Sequence, residues 1–248
     1  MKLNTIYFEE CLQGMGKIPS GSIDMILCDL PYGTTHNRWD AIIPFAPLWQ
    51  QYERVAKVNA AIVLTGQSAF SAKLIISNEK TYRYSLIWEK TKAGGFLNAA
   101  KMPLQAHEDI LIFYKKLPVY NPQYECGKPY AKKAVSNGDG GNYGKFERSG
   151  QTKINEGVRF PKSIISIANP NNSSLHPTQK PVALFEYLIK TYTNEGDTVL
   201  DNCMGSGTTA IACLNTNRFY IGFENNEKYY QLATERIRKH AEKLLDEI

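Results

Sequence analysis

The sequence predicts an α/β domain built on a doubly wound, mostly parallel sheet, and three observations carry that prediction. Short apolar, β-branched or aromatic runs alternate along the chain with segments of helical periodicity. Several runs are apolar at nearly every position, the pattern of strands covered on both faces. One of them leads directly into a glycine-rich turn and a helical pattern, the order found where such sheets bind ligands at their carboxyl edge.

Taken in chain order, seven runs read as strands, over residues 5–8, 23–28, 61–65, 84–88, 110–114, 199–200 and 219–223. Helical patterns cover 44–57, 68–77, 178–192, 207–216 and the chain from about 226 onward. The stretch 120–172 breaks this rhythm: it is rich in Gly, Asn, Ser, Lys and Tyr, includes Gly138-Asp139-Gly140-Gly141-Asn142, and follows neither period. Irregular segments this long inside a compact domain are usually functional or disordered. Here Lys128, Lys132, Lys133, Lys145, Arg148, Lys153, Arg159 and Lys162 interleave with Tyr124, Tyr130, Tyr143 and Phe146, cations for phosphates beside rings for bases. The segment therefore reads as a nucleic-acid-contacting insertion, with Lys128, Lys132, Lys133, Lys145, Arg148 and Lys153 as its DNA-binding candidates. It would separate two halves, 1–119 and 173–248, of one discontinuous catalytic domain.

The totals set the bounds. A chain of 248 residues buries one sizeable core, and 43% hydrophobic with 21% charged residues exclude a disordered or fibrous chain. The net charge of +5 allows a polyanionic partner without demanding one. Five cysteines, scattered and never spaced CxxC, argue against a disulfide framework and a zinc knuckle, and are expected as reduced thiols in the cytoplasm. No apolar run approaches membrane-spanning length and the first residues lack a secretory pattern, so a soluble cytoplasmic protein with no membrane partner is expected.

Two stretches carry chemistry. The first is Asp201-Asn202-Cys203-Met204-Gly205-Ser206-Gly207-Thr208-Thr209, after the strand-like 198–200. A glycine turn there lets backbone approach a ligand and aims the next helix's free N–H groups at it. Glu224 ends the following strand, where an acid accepts hydrogen bonds from both ribose hydroxyls. The GxxxxGK[ST] loop is absent and GxGxxG is not completed, so the ligand expected is a nucleoside without phosphates. S-adenosylmethionine fits that description.

The second stretch is Asp29-Leu30-Pro31-Tyr32-Gly33, which follows the apolar run 23–28. The amino nitrogen of a base is a poor nucleophile because its lone pair is delocalised into the ring. A carboxylate and a backbone carbonyl that accept its two hydrogens draw the nitrogen toward tetrahedral geometry. Asp29 and the Leu30 carbonyl are candidates for that work, and Tyr32 for stacking on an extracted base.

Together the two stretches resemble the amino-methyltransferases of DNA, whose acceptor signature is [DNS]PP[YFW] and whose cofactor signature is FxGxG. The resemblance extends to His176-Pro177-Thr178-Gln179-Lys180-Pro181, which in the family precedes the cofactor strand. The order of acceptor motif, insertion and cofactor motif resembles the permuted beta group. The resemblance implies a Rossmann-like methyltransferase fold with seven strands, six parallel and one antiparallel near an edge, and a target recognition region in the insertion. It implies S-adenosylmethionine as cofactor, S-adenosylhomocysteine as product, and no metal. His176, Thr178 and Lys180 would hold the methionine end, with Asp29, Asp201, Cys203, Met204, Gly205, Ser206, Gly207, Thr208 and Glu224 completing the cofactor site. Glu10-Cys11-Leu12 stands where relatives carry Asp-Cys-Leu near the cofactor's adenine.

The activity implied is transfer of methyl to N6 of adenine in double-stranded DNA after base flipping, because relatives with Asp at the first acceptor position mostly methylate adenine. N4 of cytosine is the alternative, and a catalytically inactive cofactor-binding DNA-binding protein is a second. A homodimer and a restriction endonuclease partner are further partners the resemblance allows. Two departures stand out: Leu30 replaces the first proline of the acceptor signature, and Cys203 stands where Phe is usual. Among other residues, 36–40 are candidates for closing over the flipped base, Cys28 reads as core, and Arg236, Arg238 and Lys239 as the polar end of a terminal helix.

Overall fold

A computed structural model describes residues 1–35, 37, 40–132, 152–169 and 179–246. The candidates His176, Thr178, Lys133, Lys145 and Arg148, with His36, Arg38 and Trp39, lie outside the described residues.

The elements are β1 (Thr5–Phe8), α1 (Cys11–Met15), β2 (Ile23–Cys28), α2 (Phe45–Val55), β3 (Ala56–Gly66), α3 (Ser68–Ser77), β4 (Tyr82–Gly94) and β5 (Gln105–Phe113). The short strands β6 (Glu125–Cys126), β7 (Tyr130–Lys132), β8 (Lys153–Asn155) and β9 (Val158–Arg159) follow. Then come β10 (Ile164–Ile167), α4 (Val182–Tyr192), β11 (Thr198–Asp201), α5 (Thr208–Asn215), β12 (Phe219–Glu224) and α6 (Glu227–Asp246). They form two compact units: Met1–Asn121 with Ser163–Ile248, and Pro122–Lys162.

The larger unit holds a single sheet in the order β1-β12-β11-β2-β3-β5-β4-β10. Among the described residues only β5 runs against its neighbours, pairing antiparallel with both β3 and β4. The sheet has eight strands, not the seven expected, because Ile164–Ile167 adds in parallel beside β4. This four-residue run sits within the stretch read as insertion, and its partner lies some eighty positions away, so no local pattern marks it. Helix α4 starts at Val182 rather than 178, since the residue before Pro181 is disfavoured in helical geometry and Pro181 itself caps the helix.

Alternation along each central strand explains the two layers. In β2, Met25 and Leu27 turn to a core that includes Leu184, Phe185, Leu188 and Ile189 of α4, Ala210 and Ile211 of α5, and Ile237 of α6. Ile26 and Cys28 turn the other way, onto Leu48, Trp49 and Tyr52 of α2 and Phe70 and Leu74 of α3. Helices therefore cover both faces, as the uninterrupted apolar strands require.

One register matters most for function. Leu200 lies beside Ile26 in the parallel pair of β11 and β2, so the loops after Cys28 and after Asp201 leave the sheet together at its carboxyl edge. Both ends of the larger unit's break are fastened to it: the Asn121 N–H donates to Thr191 O at 2.8 Å, and the Ile87 N–H donates to Ser163 O at 2.7 Å.

The smaller unit contains two antiparallel pairs, β6 with β9 and β7 with β8. Tyr124 packs edge-on against Phe160 with ring centroids 5.2 Å apart, and the Arg159 guanidinium lies 4.6 Å from the Tyr130 ring centroid.

Candidate functional site

A cavity of about 750 Å³ opens at the carboxyl edge of the sheet and is lined by both predicted stretches. Asp29, Leu30, Pro31 and Tyr32 face it from the loop after β2. Asp201, Cys203, Met204, Gly205, Ser206 and Thr208 face it after β11, with Glu224 from the end of β12 and Glu10 and Cys11 from the start of α1.

At the glycine turn the backbone does most of the shaping. Gly205 and Gly207 hold positive φ of 54° and 82°, conformations that L side chains rarely adopt. A Cβ on Gly205 would have only the Cys203 carbonyl near it, at 3.9 Å, so the turn presents bare backbone. Gly207 does not line the cavity; a Cβ there would press on Ile237 at 3.1 Å and Ala233 at 3.3 Å, so it serves close packing of α6. Glu224 accepts from the Gly205 N–H and the Asn226 N–H, each at 2.8 Å, one to each oxygen. Burial raises its carboxyl above the usual range against the pull of those donors and of the Asn225 N–H, and the carboxylate's four lone pairs leave acceptor capacity for a ligand. Asp201 accepts from the Cys203 N–H at 2.9 Å and from the Thr209 hydroxyl, and burial pushes it up to about 6. Glu10 caps α1, accepting from the Gln13 N–H at 3.0 Å.

The acceptor loop is held by side chains instead. One Asp29 oxygen accepts from the Thr65 hydroxyl and, at 2.9 Å, from the Tyr32 hydroxyl. The other pairs with the Lys180 ammonium at 2.7 Å. Lys180 is only 6% exposed and also reaches Glu108 at 3.1 Å, while Lys90 meets the other Glu108 oxygen at 2.5 Å. Burial alone would lower the Lys180 ammonium, but Asp29 and Glu108 outweigh it and raise it above the ordinary lysine value. The Tyr32 ring packs on Phe70 with centroids 4.8 Å apart, and its phenol is driven well above 10.0 by burial and by Asp29.

Leu30 is 3% exposed and packs among the apolar residues under the loop, so buried side-chain contact anchors the position where proline would supply stiffness. Cys203 joins the same cluster from the cavity wall. Cys28 is fully buried, and burial holds its thiol up at about 12, which leaves no thiolate for nucleophilic attack. The turn after Tyr32 is tied by Asp40, whose carboxylate accepts the N–H groups of Gly33, Thr34 and Thr35 at 2.9, 2.9 and 2.7 Å.

Thr65, Lys90 and Glu108 were not singled out by the sequence reading, nor was Arg236 as a site residue. Arg236 folds back onto the glycine turn, donating to Ser206 O at 2.8 Å. In the smaller unit Lys128, Lys132 and Lys153 are exposed, and Lys132 stands directly opposite Lys153 in the β7–β8 ladder.

A mostly parallel sheet, a glycine turn after one strand and a buried acid at the end of the next form the ligand-binding edge of a doubly wound sheet, and the comparisons give its class. The family model described as DNA methylase, covering N6 and N4 enzymes, matches residues 23–235. The chain belongs to this N6/N4 DNA methylase family, which uses S-adenosylmethionine. Among curated relatives, type II methyltransferase M.HpaI of Haemophilus parainfluenzae is 28% identical over 239 residues, 91% of this chain and 71% of that relative. Type II methyltransferase M.HindIII of Haemophilus influenzae is 24% identical over 294 residues, 95% of each chain. Solved structures share the fold: the M1.HpyAVI–SAM complex at TM-score 0.64 and 24% identity, covering 94% of this chain and 98% of its own. The cytosine-N4-specific PvuII DNA methyltransferase aligns at TM-score 0.69 and 15% identity, covering 98% and 92%.

Proposed function

We propose that this DNA methyltransferase acts on N6 of adenine in duplex DNA, with Asp29 and the Leu30 carbonyl accepting the two amino hydrogens. The observation that carries the reading is the Asp29 carboxylate, fixed by Thr65, Tyr32 and Lys180 in the cavity that the glycine turn also lines. The cavity fits the cofactor: Gly205 presents open backbone, and the buried Glu224 carboxylate keeps acceptor capacity where ribose hydroxyls need it. Cys11, Met204, Ser206, Thr208 and Lys180 would complete its surroundings. Bound there, S-adenosylmethionine supplies a methyl group already activated on a sulfonium.

Asp29 and Leu30 orient the amino nitrogen so that its lone pair faces the cofactor side of the cavity, and the amino proton released on transfer passes to Asp29. Tyr32, fixed at its hydroxyl and against Phe70, offers an aromatic wall to a base rotated from the duplex. Asp at the first acceptor position supports adenine over cytosine by family resemblance.

In the smaller unit, two lysines face each other across a ladder where like charges repel, an arrangement that a phosphate between them would relieve. We assign Lys132 and Lys153 to backbone contact on that basis, and the exposed Lys128 with them by its charge. The type II relatives support a place for this chain as the modifying partner of a restriction endonuclease.

Incubation with labelled S-adenosylmethionine and mixed-sequence duplex DNA, followed by digestion to nucleosides, tests the reading. Label is expected in N6-methyladenine; label in N4-methylcytosine transfers the assignment to cytosine, and unlabelled DNA overturns it.

A further inference from the structure

We infer that Glu108 and Lys90 are positioning residues for methyl transfer: they hold Lys180 across Asp29 and balance the charge against which Asp29 accepts the amino proton. The inference rests on the proposed role of Asp29.

Four charged side chains form one chain through the wall of the cavity. Lys90 pairs with Glu108 at 2.5 Å, Glu108 with Lys180 at 3.1 Å, and Lys180 with Asp29 at 2.7 Å. Tyr32 closes it, its hydroxyl 2.9 Å from Asp29 and 3.4 Å from Glu108. Two carboxylates and two ammonium groups sum to zero, and three of the four side chains, those of Lys90, Glu108 and Lys180, are 13%, 9% and 6% exposed. Stability does not account for such a set, because replacing buried ion pairs with packed apolar residues is often neutral or favourable. Its placement does suit positioning. Glu108 lies on β5 opposite Trp88 of β4, so two paired strands fix it. Lys180 precedes the Pro181 cap of α4 and lies outside regular structure, so the strand-borne acid defines where its ammonium sits.

The other groups that act on this corner are Asp201, whose carboxyl feels the charge of Asp29, and the buried Cys28. Neither is a cation, so Lys180 and, through Glu108, Lys90 supply the positive charge at Asp29. Removing Glu108's charge leaves Asp29 beside two cations and weakens it as a proton acceptor. Removing that of Lys90 leaves an excess anion and has the opposite effect.

The experiment is the pH dependence of single-turnover methyl transfer to mixed-sequence duplex DNA by the full chain. Glu108→Gln is expected to move the acid limb down by about one pH unit, with about a tenfold loss of maximal rate. Lys90→Met is expected to move the limb up by a similar amount, and Lys90→Arg to restore the parent profile. Cofactor affinity, measured by calorimetry, should stay within about threefold throughout. Shifts of the same sign in both charge-removing variants, unmoved limbs, or a loss confined to cofactor affinity would overturn the inference. If Glu108→Gln does not fold, the Lys90 pair decides alone: an upward limb in Met that Arg reverses supports the proposal, and any other pattern sinks it. Failure of the underlying reading looks different, since Asp29→Ala would then retain turnover whatever the other variants do.

Discussion

The glycine turn and the acceptor loop open onto one cavity from neighbouring strands, yet backbone shapes the first and side-chain charge shapes the second. At the turn, Gly205 and Gly207 adopt positive φ and Glu224 is held by two main-chain N–H groups. At the loop, Asp29 is held by Thr65, Tyr32 and Lys180, whose positions span most of the sequence. The difference follows from the tasks. On the proposed reading the cofactor meets a bare main-chain turn at Gly205 and the Glu224 carboxylate, which main-chain donors hold in place. A reacting nitrogen needs a base whose charge is set by its neighbours, and only side chains supply that.

The comparison can be broken in three ways. The largest effect is expected from Asp29→Ala, which should lower the transfer rate about 10³-fold while calorimetry still shows cofactor binding. Loss of both together would mean that the two ends are not separable. Next, Gly207→Val should destabilise the fold by about 3 kcal/mol in urea denaturation, combining left-handed strain with pressure on Ile237 and Ala233. A variant as stable as the parent would show that the turn tolerates a Cβ and that backbone geometry is not what shapes it.

The smallest change is at Asp201, the buried charge of the cofactor end. Its carboxyl titrates at about 6 in the fold against an ordinary 3.8, so the folded state binds the proton more tightly than the unfolded one. Ionisation therefore costs stability as pH rises through that window. Asp201→Asn, which keeps an acceptor for the Cys203 N–H, should gain up to about 3 kcal/mol relative to the parent well above pH 6 and nothing below 3.8. Equal stability at pH 7 would remove burial as the cause of the shift.

The same contrast explains what could be read from the sequence. The glycine turn and Glu224 lie within residues 201–224, one strand, turn, helix and strand, so their logic is local. Asp29 to Tyr32 were legible for the same reason, and Lys180 through the family resemblance. Thr65, Lys90 and Glu108 were not, because Thr65 reaches Asp29 only through the pairing of β2 with β3, Glu108 and Lys90 reach the pair of Asp29 and Lys180 only once β5 lies between β3 and β4, and strand order is not written in any single run. Leu30 departs from the acceptor signature's proline, and only the packed structure shows that burial against the second core anchors it. Arg236 carried no signal beyond the basic end of a helix, since its contact with Ser206 depends on how α6 packs.

The two clamps on either side of residues 122–162 have an evolutionary consequence. With Asn121 bonded to Thr191 and Ser163 to Ile87, both stems of the segment are fastened to the catalytic body by main-chain bonds that do not depend on what lies between. The chain between those stems can therefore be swapped, lengthened or rewritten without rethreading a strand of the larger sheet.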